Sequence, residues 1–230
     1  MPEGPEVRRH AAALARVLEG EQIVEFAART KNARAWIAAH PDIMCGRRVL
    51  QVRAHGKNLH AQIEGGFYFY SHLMMWGRWT IEARDEDRVL KRDDRVCEER
   101  VRDKRERARI STKNHHAILL SAPVFEVGEG DARQQIETLK LLGPDILPYE
   151  DDGDFDDHEF LKRLLNSENA GREIGAALLD QTICAGIGNY LRAEILFECK
   201  LDPWTKIDEL SAEETRGLCD TIPRVAAQAS

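Results

Sequence analysis

The chain has 230 residues, 43% of them hydrophobic and 32% charged, enough to bury a sizeable core and too long for one small module. No apolar run approaches the roughly 20 residues of a membrane-spanning helix, and the opening MPEGPEVRRH lacks the apolar stretch of a secretory signal. A soluble, cytosolic protein with no membrane partner is therefore expected. The formal charge of -7 argues on average against nucleic acid, but residues 1–120 carry 23 basic and 17 acidic side chains while residues 121–230 carry 10 and 23. That polarity keeps a phosphate-rich partner open. The five cysteines, Cys45, Cys97, Cys184, Cys199 and Cys219, are scattered with no C-x-x-C pair, so neither a disulfide framework nor a cysteine-built zinc site is expected, and no residue licenses a metal or a cofactor.

Residues 5–19 place Val7, Ala11, Leu14, Val17 and Leu18 at helical spacing, with Pro5 acceptable in the first turn and Gly20 as a stop. From Gln22 to Ile81 the pattern changes to short alternating or apolar runs (QIVEFAAR, RRVLQVRAHG, LHAQIEG, GFYFYSHL, RWTIEA) punctuated by glycine, which reads as antiparallel strands. Residues 84–114 are charged with sparse apolar positions and read as a long solvated hairpin or insertion, after which HAILL resumes a strand. The acidic run YEDDGDFDDHEF marks a boundary. Beyond it, Phe160, Leu161, Leu164 and Leu165 form one helical face, Ile174, Ala177, Leu178 and Leu179 a second, and Tyr190, Leu191, Ile195, Leu196 and Phe197 a third. DELSAEETRGLC adds a fourth helix, with Ser211 and Glu214 as a capping box. The fold class is α+β, with a β-rich domain over residues 1–150 that opens on a helix and a helical domain over residues 151–230.

Four constellations could carry chemistry. Removal of Met1 would leave the secondary amine of Pro2 at the terminus, a strong nucleophile toward an aldehydic carbon, with Glu3 beside it as general acid or base. The alternative is that Pro and Glu are simply favourable first-turn residues. In TICAGIGNYLRAEIL, Gly186 and Gly188 form a turn and Asn189 caps a helix whose first N–H groups could hold a phosphate; an ordinary glycine-rich connection is the alternative. Lys57 follows Gly56 at a strand turn and either neutralises phosphate or stands idle in solvent. Leu73, Met74, Met75 and Trp76 precede Gly77, and large apolar residues on a loop either wedge into a base stack or pack in the core.

Taken together, MPEGPE, the Gly-Lys turn, the YSH-x-x-x-x-G segment, LGPDIL at 142–147 and the LLDQ-x-x-x-AGIGNYLRAEIL block resemble the formamidopyrimidine-DNA glycosylase and endonuclease VIII family over essentially the whole chain. The wording from Asn189 to Leu196 is similar to the endonuclease VIII branch, which prefers oxidised pyrimidines. The resemblance implies an N-terminal β-sandwich domain, a helix–two-turn–helix DNA-binding domain and a bifunctional glycosylase with abasic-site lyase activity in base-excision repair. Pro2 would attack C1′ and form a Schiff base, Glu3 would shuttle protons, and Glu6 would hold the terminal region. Lys57 would contact the phosphate flanking the lesion and could donate a proton. Asn189 and Arg192 would bind the DNA backbone, and Met75 with Trp76 would fill the vacated stack.

The implied partner is damaged double-stranded DNA, bound by a monomer in the bacterial cytoplasm at the nucleoid. Family members usually end in a zinc or zincless finger, and this chain stops at Ser230 without one, either because the sequence is truncated or because this is a member without the finger. SAPVFEVGEG stands where the purine-specific branch has an Arg-Arg-Phe-Gly loop, and its Phe125 could intercalate. A non-catalytic protein of the same fold that binds lesions or abasic sites is the competing reading, distinguished by whether Pro2 forms an imine.

Overall fold

The computed structural model describes residues 1–84 and 103–230. The chain begins with α1 (Gly4–Leu18), β1 (Glu25–Ala28), α2 (Lys31–Ala39), β2 (Val49–His55), β3 (Asn58–Ile63), β4 (Phe67–His72) and β5 (Arg78–Ala83). It continues through β6 (Glu106–Ser111), β7 (His115–Leu120), β8 (Val124–Glu129), α3 (Ala132–Gln135), α4 (Glu137–Leu141), α5 (Asp157–Leu164), α6 (Ile174–Ala177), α7 (Asn189–Cys199) and α8 (Ala212–Gln228). Two compact units result: Met1–Arg9, Ala54–Leu59 and Arg133–Ser230 form one, and His10–Arg53 and His60–Ala132 form the other. The chain thus changes unit several times, where the sequence reading has one boundary at 150/151. None of the described helices is long and apolar enough to cross a membrane.

Two four-stranded sheets, ordered β1-β6-β7-β5 and β2-β3-β4-β8, lie mostly in the second of these, the β unit, with the ends of β2 and β3 around Gly56 in the first, the helical unit. Their inner faces are joined by rings: Phe125 of β8 stacks on Phe69 of β4 at 5.8 Å, and both meet Trp79 of β5, at 6.2 and 5.9 Å. The buried Trp79 Nε1–H donates to Ser71 Oγ at 3.2 Å, so the indole enters the core with its one polar group satisfied.

The solvated reading of 84–114 lies largely outside the described residues, as does Cys97, but its later part forms β6, which pairs with both β1 and β7. One pair of charges there is taken out of solvent, Arg109 donating to the buried Glu106 carboxylate at 2.7 Å, while Ala108 and Ile110 fill the core. Helix α2 was not expected either; it buries only Ala33, so its sequence carries almost no apolar period.

Helix α1 follows the expectation: Val7, Ala11, Leu14 and Leu18 are wholly buried, and Gly20 ends the segment at φ 77°. In the helical unit Ile146, Phe160, Leu164, Ile174, Leu191 and Ile222 share one core. Helix α8 starts on the Ser211–Glu214 capping box read from the sequence. Helix α7 corrects that reading in part, since Leu191, Ile195 and Leu196 are buried whereas Tyr190 and Phe197 are exposed.

Candidate active site

Three backbone strips of the helical unit lie side by side. Gly4 N–H donates to Gly186 O at 2.9 Å, Ala185 N–H to Pro144 O at 2.8 Å, and Ile146 N–H to Ala185 O at 3.1 Å. The turn at Gly56 presses on the same strip: a Cβ there would come within 2.8 Å of Gly186 N and 2.9 Å of Ala185 C, and its φ is +54°. Only glycine meets both conditions without strain. Gln181 pins the strip from behind, its Nε2 donating to Leu179 O and Ile187 O at 2.8 and 3.0 Å and its Oε1 accepting from Gly186 N–H at 3.0 Å.

This framework fixes Glu3, which is 8% exposed. Its Oε2 accepts from the N–H groups of Gly188 and Leu191, each at 3.0 Å, and its Oε1 accepts from Tyr190 N–H at 2.8 Å. A carboxylate from the start of the chain therefore caps α7, meeting the orphan amides and the positive end of the helix dipole. Two readings change. Gly188 is the N-cap residue and Asn189 the first residue of the helix, so Asn189 does not cap it. The amides of Gly188, Tyr190 and Leu191 are already occupied by Glu3, so they do not form the outward-facing phosphate cradle expected from the glycine-rich turn. Asn189 itself is exposed at that end, and Arg192 is half-buried one turn on.

Pro2 is half-buried, directly before Glu3, and Met1 is exposed. Glu6, on the exposed face of α1, accepts the Glu3 amide N–H at 2.5 Å. Lys57 differs from an ordinary turn lysine in being only 5% exposed. Burial pushes its pKa down, opposed by the negative charge of Glu3. Pro2, Glu3, Glu6, Lys57, Asn189 and Arg192 thus all belong to one compact unit, although residues 10–53 and 60–132 belong to the other.

Met75 and Trp76 lie in the β unit, on the loop between β4 and β5. Leu73 is buried, Met74 sits at φ 53° with its N–H donating to His72 Nδ1 at 3.1 Å, and Gly77 N–H closes the loop on Leu73 O at 2.8 Å. Met74 and Met75 are exposed, and Trp76 is 80% exposed, so the loop offers apolar side chains to solvent on a short closed turn. Phe125 is 1% exposed among the core rings and is not available to intercalate.

Sequence reasoning gave no role to three residues that build the site. Gln181 and Asp145 lie inside quoted motifs, LLDQ and LGPDIL, where a polar side chain among apolar neighbours was the available signal. Arg8 gave none; its Nη1 donates to Leu147 O at 2.9 Å and its guanidinium lies 3.0 Å above the Tyr149 ring. Among the described residues no group of three or more His, Cys, Asp or Glu side chains is placed to hold a metal ion.

Residues 1–120 match the family description of the formamidopyrimidine-DNA glycosylase N-terminal domain, and residues 142–229 that of its H2TH domain. The chain is 31% identical over 235 residues to endonuclease 8 of Pectobacterium carotovorum, covering 98% of this chain and 80% of the relative. It is 31% identical over 234 residues to endonuclease 8 of Klebsiella pneumoniae, with the same coverage. Among solved structures it is similar in fold to Lactococcus lactis Fpg in complex with DNA containing an abasic site, at TM-score 0.76 and 23% identity over 99% of this chain and 78% of that one. A second complex of that protein, with DNA containing an oxidised pyrimidine, gives TM-score 0.77 at 23% identity over 99% and 79%.

Proposed function

The chain belongs to the formamidopyrimidine-DNA glycosylase family, and from that premise we propose that it excises oxidised bases, pyrimidines foremost, from damaged double-stranded DNA and then cuts the strand at the abasic site through an imine at Pro2. It is a DNA-repair glycosylase. The observation that carries the reading is Glu3, immediately after Pro2 and fixed by the amides of Gly188, Tyr190 and Leu191 at the start of α7, in the unit that also holds the buried Lys57.

Once Met1 is removed, the Pro2 amine attacks C1′ of the damaged nucleotide and the C1′–base bond breaks, its electron pair leaving with the base. Opening of the sugar ring gives an iminium between Pro2 and C1′, which acidifies C2′ so that loss of a C2′ proton expels the 3′-phosphate. Glu3 carries protons to and from the sugar, and its three amide bonds hold the carboxylate in place without a search of rotamers. Lys57 neutralises the phosphate beside the lesion, Asn189 and Arg192 hold the backbone, and Glu6 steadies the Glu3 amide. Met75 and Trp76 fill the stack that the extruded nucleotide vacates. The name endonuclease 8 carried by the relatives supports the pyrimidine preference. The same reading has the protein act as a monomer in the cytoplasm, at the nucleoid.

Borohydride trapping tests it. With its N-terminus verified by intact mass, the protein is incubated with abasic and oxidised-pyrimidine duplexes; a covalent protein–DNA band is expected, lost in Pro2→Gly. No band from a chain with free Pro2 would favour a lesion-binding protein of the same fold.

A further inference from the structure

The turn that presents Lys57 is held by groups from the segment just before α5, and the LGPDIL motif supplies them. Asp145 Oδ2 accepts the Gly56 N–H at 3.1 Å, while Oδ1 accepts the Leu147 N–H at 3.0 Å. The second bond is a local turn within the motif. The first reaches across 89 residues of sequence to the residue before Lys57. On the other side of Gly56, His55 Nε2 lies 2.9 Å from Gly143 O, a bond made when that nitrogen carries the proton. Gly56 has no side chain to lock its own conformation and stands at φ +54°, so the direction of the following residue depends on these outside bonds.

A carboxylate is the group this position requires. Both of its oxygens face N–H donors, and an amide in its place would satisfy one donor and turn its own NH₂ against the other. Burial pushes the Asp145 pKa up, while His55, the two backbone bonds and Arg8 favour the charged form.

We propose that Asp145 is the positioning residue for Lys57, holding the Gly56 peptide so that the buried ammonium meets the DNA phosphate in one fixed geometry. This rests on the reading of Lys57 as a phosphate contact. A misplaced charge loses most of the benefit of a charge-assisted bond, so the effect belongs to DNA binding.

A double-mutant cycle decides it. Affinity for a duplex bearing a tetrahydrofuran abasic analogue is measured by fluorescence anisotropy across a salt series, for the unmodified chain, Lys57→Ala, Asp145→Asn and the double variant. Each single substitution is expected to weaken binding about tenfold and to lower the slope of log affinity against log salt by about one. The double variant is expected to be no worse than Lys57→Ala, because Asp145 acts only through Lys57. An effect of Asp145→Asn that adds in full to that of Lys57→Ala, or no effect at all, would overturn the inference. Normal binding by Lys57→Ala would instead sink the reading on which it rests. If Asp145→Asn does not fold, Asp145→Ser enters the same cycle, and failure of both to fold would mark Asp145 as a purely structural residue and reject the proposal.

Discussion

Lys57 sits in surroundings that penalise a charge, and the proton balance there has a measurable consequence. Burial moves its pKa below the ordinary 10.5 and the Glu3 charge opposes the move. The ammonium is therefore fully present below the lowered value and is lost as pH rises through it, and on the proposed phosphate contact DNA affinity is expected to fall with it. Binding of abasic duplex measured between about pH 7 and 11 should show an alkaline loss that Lys57→Arg removes, since a guanidinium stays protonated over that range. The same loss in the Arg variant would place the titrating group elsewhere. Glu3 invites a second substitution. Glu3→Gln keeps an acceptor but sets an NH₂ against helix amides, so a stability loss of about 2 kcal/mol is expected, with base excision falling much further than nicking at a preformed abasic site. Equal loss on both substrates would deny Glu3 a part in opening the sugar.

At the level of elements, what could be read in advance followed the strength of each local pattern. The strands from β2 to β5 fall on short alternating or continuous apolar runs between glycines, helix α1 keeps a 3.6-residue apolar period, and the capping box of α8 is a three-residue spacing visible in the sequence. Strand β6 escaped because its Glu106 and Arg109 satisfy each other, a pairing that no composition count reveals. Helix α7 escaped at its start because its cap comes from Glu3, far outside any local window. Pro2, Glu3, Lys57 and Asn189 could all be proposed from motifs, whereas Asp145 and Gln181 act through the backbone of other segments, so their part emerged only with the geometry.

The apolar side chains before and after β5 illustrate the same division between local and long-range information. Trp76 and Phe125 both looked able to enter DNA, yet one is exposed and the other lies in the core. Trp76→Ala should weaken binding to abasic duplex and leave the melting temperature unchanged. Phe125→Ala should instead cost about 3–5 kcal/mol of stability. Unchanged affinity in Trp76→Ala would end the wedge assignment.

For the molecule as a whole, charge is the property the sequence states most plainly. The excess of acidic over basic groups in residues 121–230 repels a polyanion, so binding must rest on a limited set of cations acting at short range. Affinity for abasic duplex is expected to fall at least tenfold between about 50 and 200 mM salt, and a flat response would show that phosphate contacts contribute little. The division into units was less legible, because residues 1–9 and 54–59 belong with the helical segment from Arg133 onward. The bonds from Glu3 to α7 span 185 to 188 residues, and this separation sets an order in time. During synthesis at about 5–20 residues per second, Met1 and Pro2 leave the ribosome roughly 10–40 s before the amides that will anchor Glu3. In that interval the terminus is an untethered peptide, open to the aminopeptidase that the proposed imine chemistry at Pro2 requires, so on that proposal the amine is uncovered first and the scaffold closes around it afterwards.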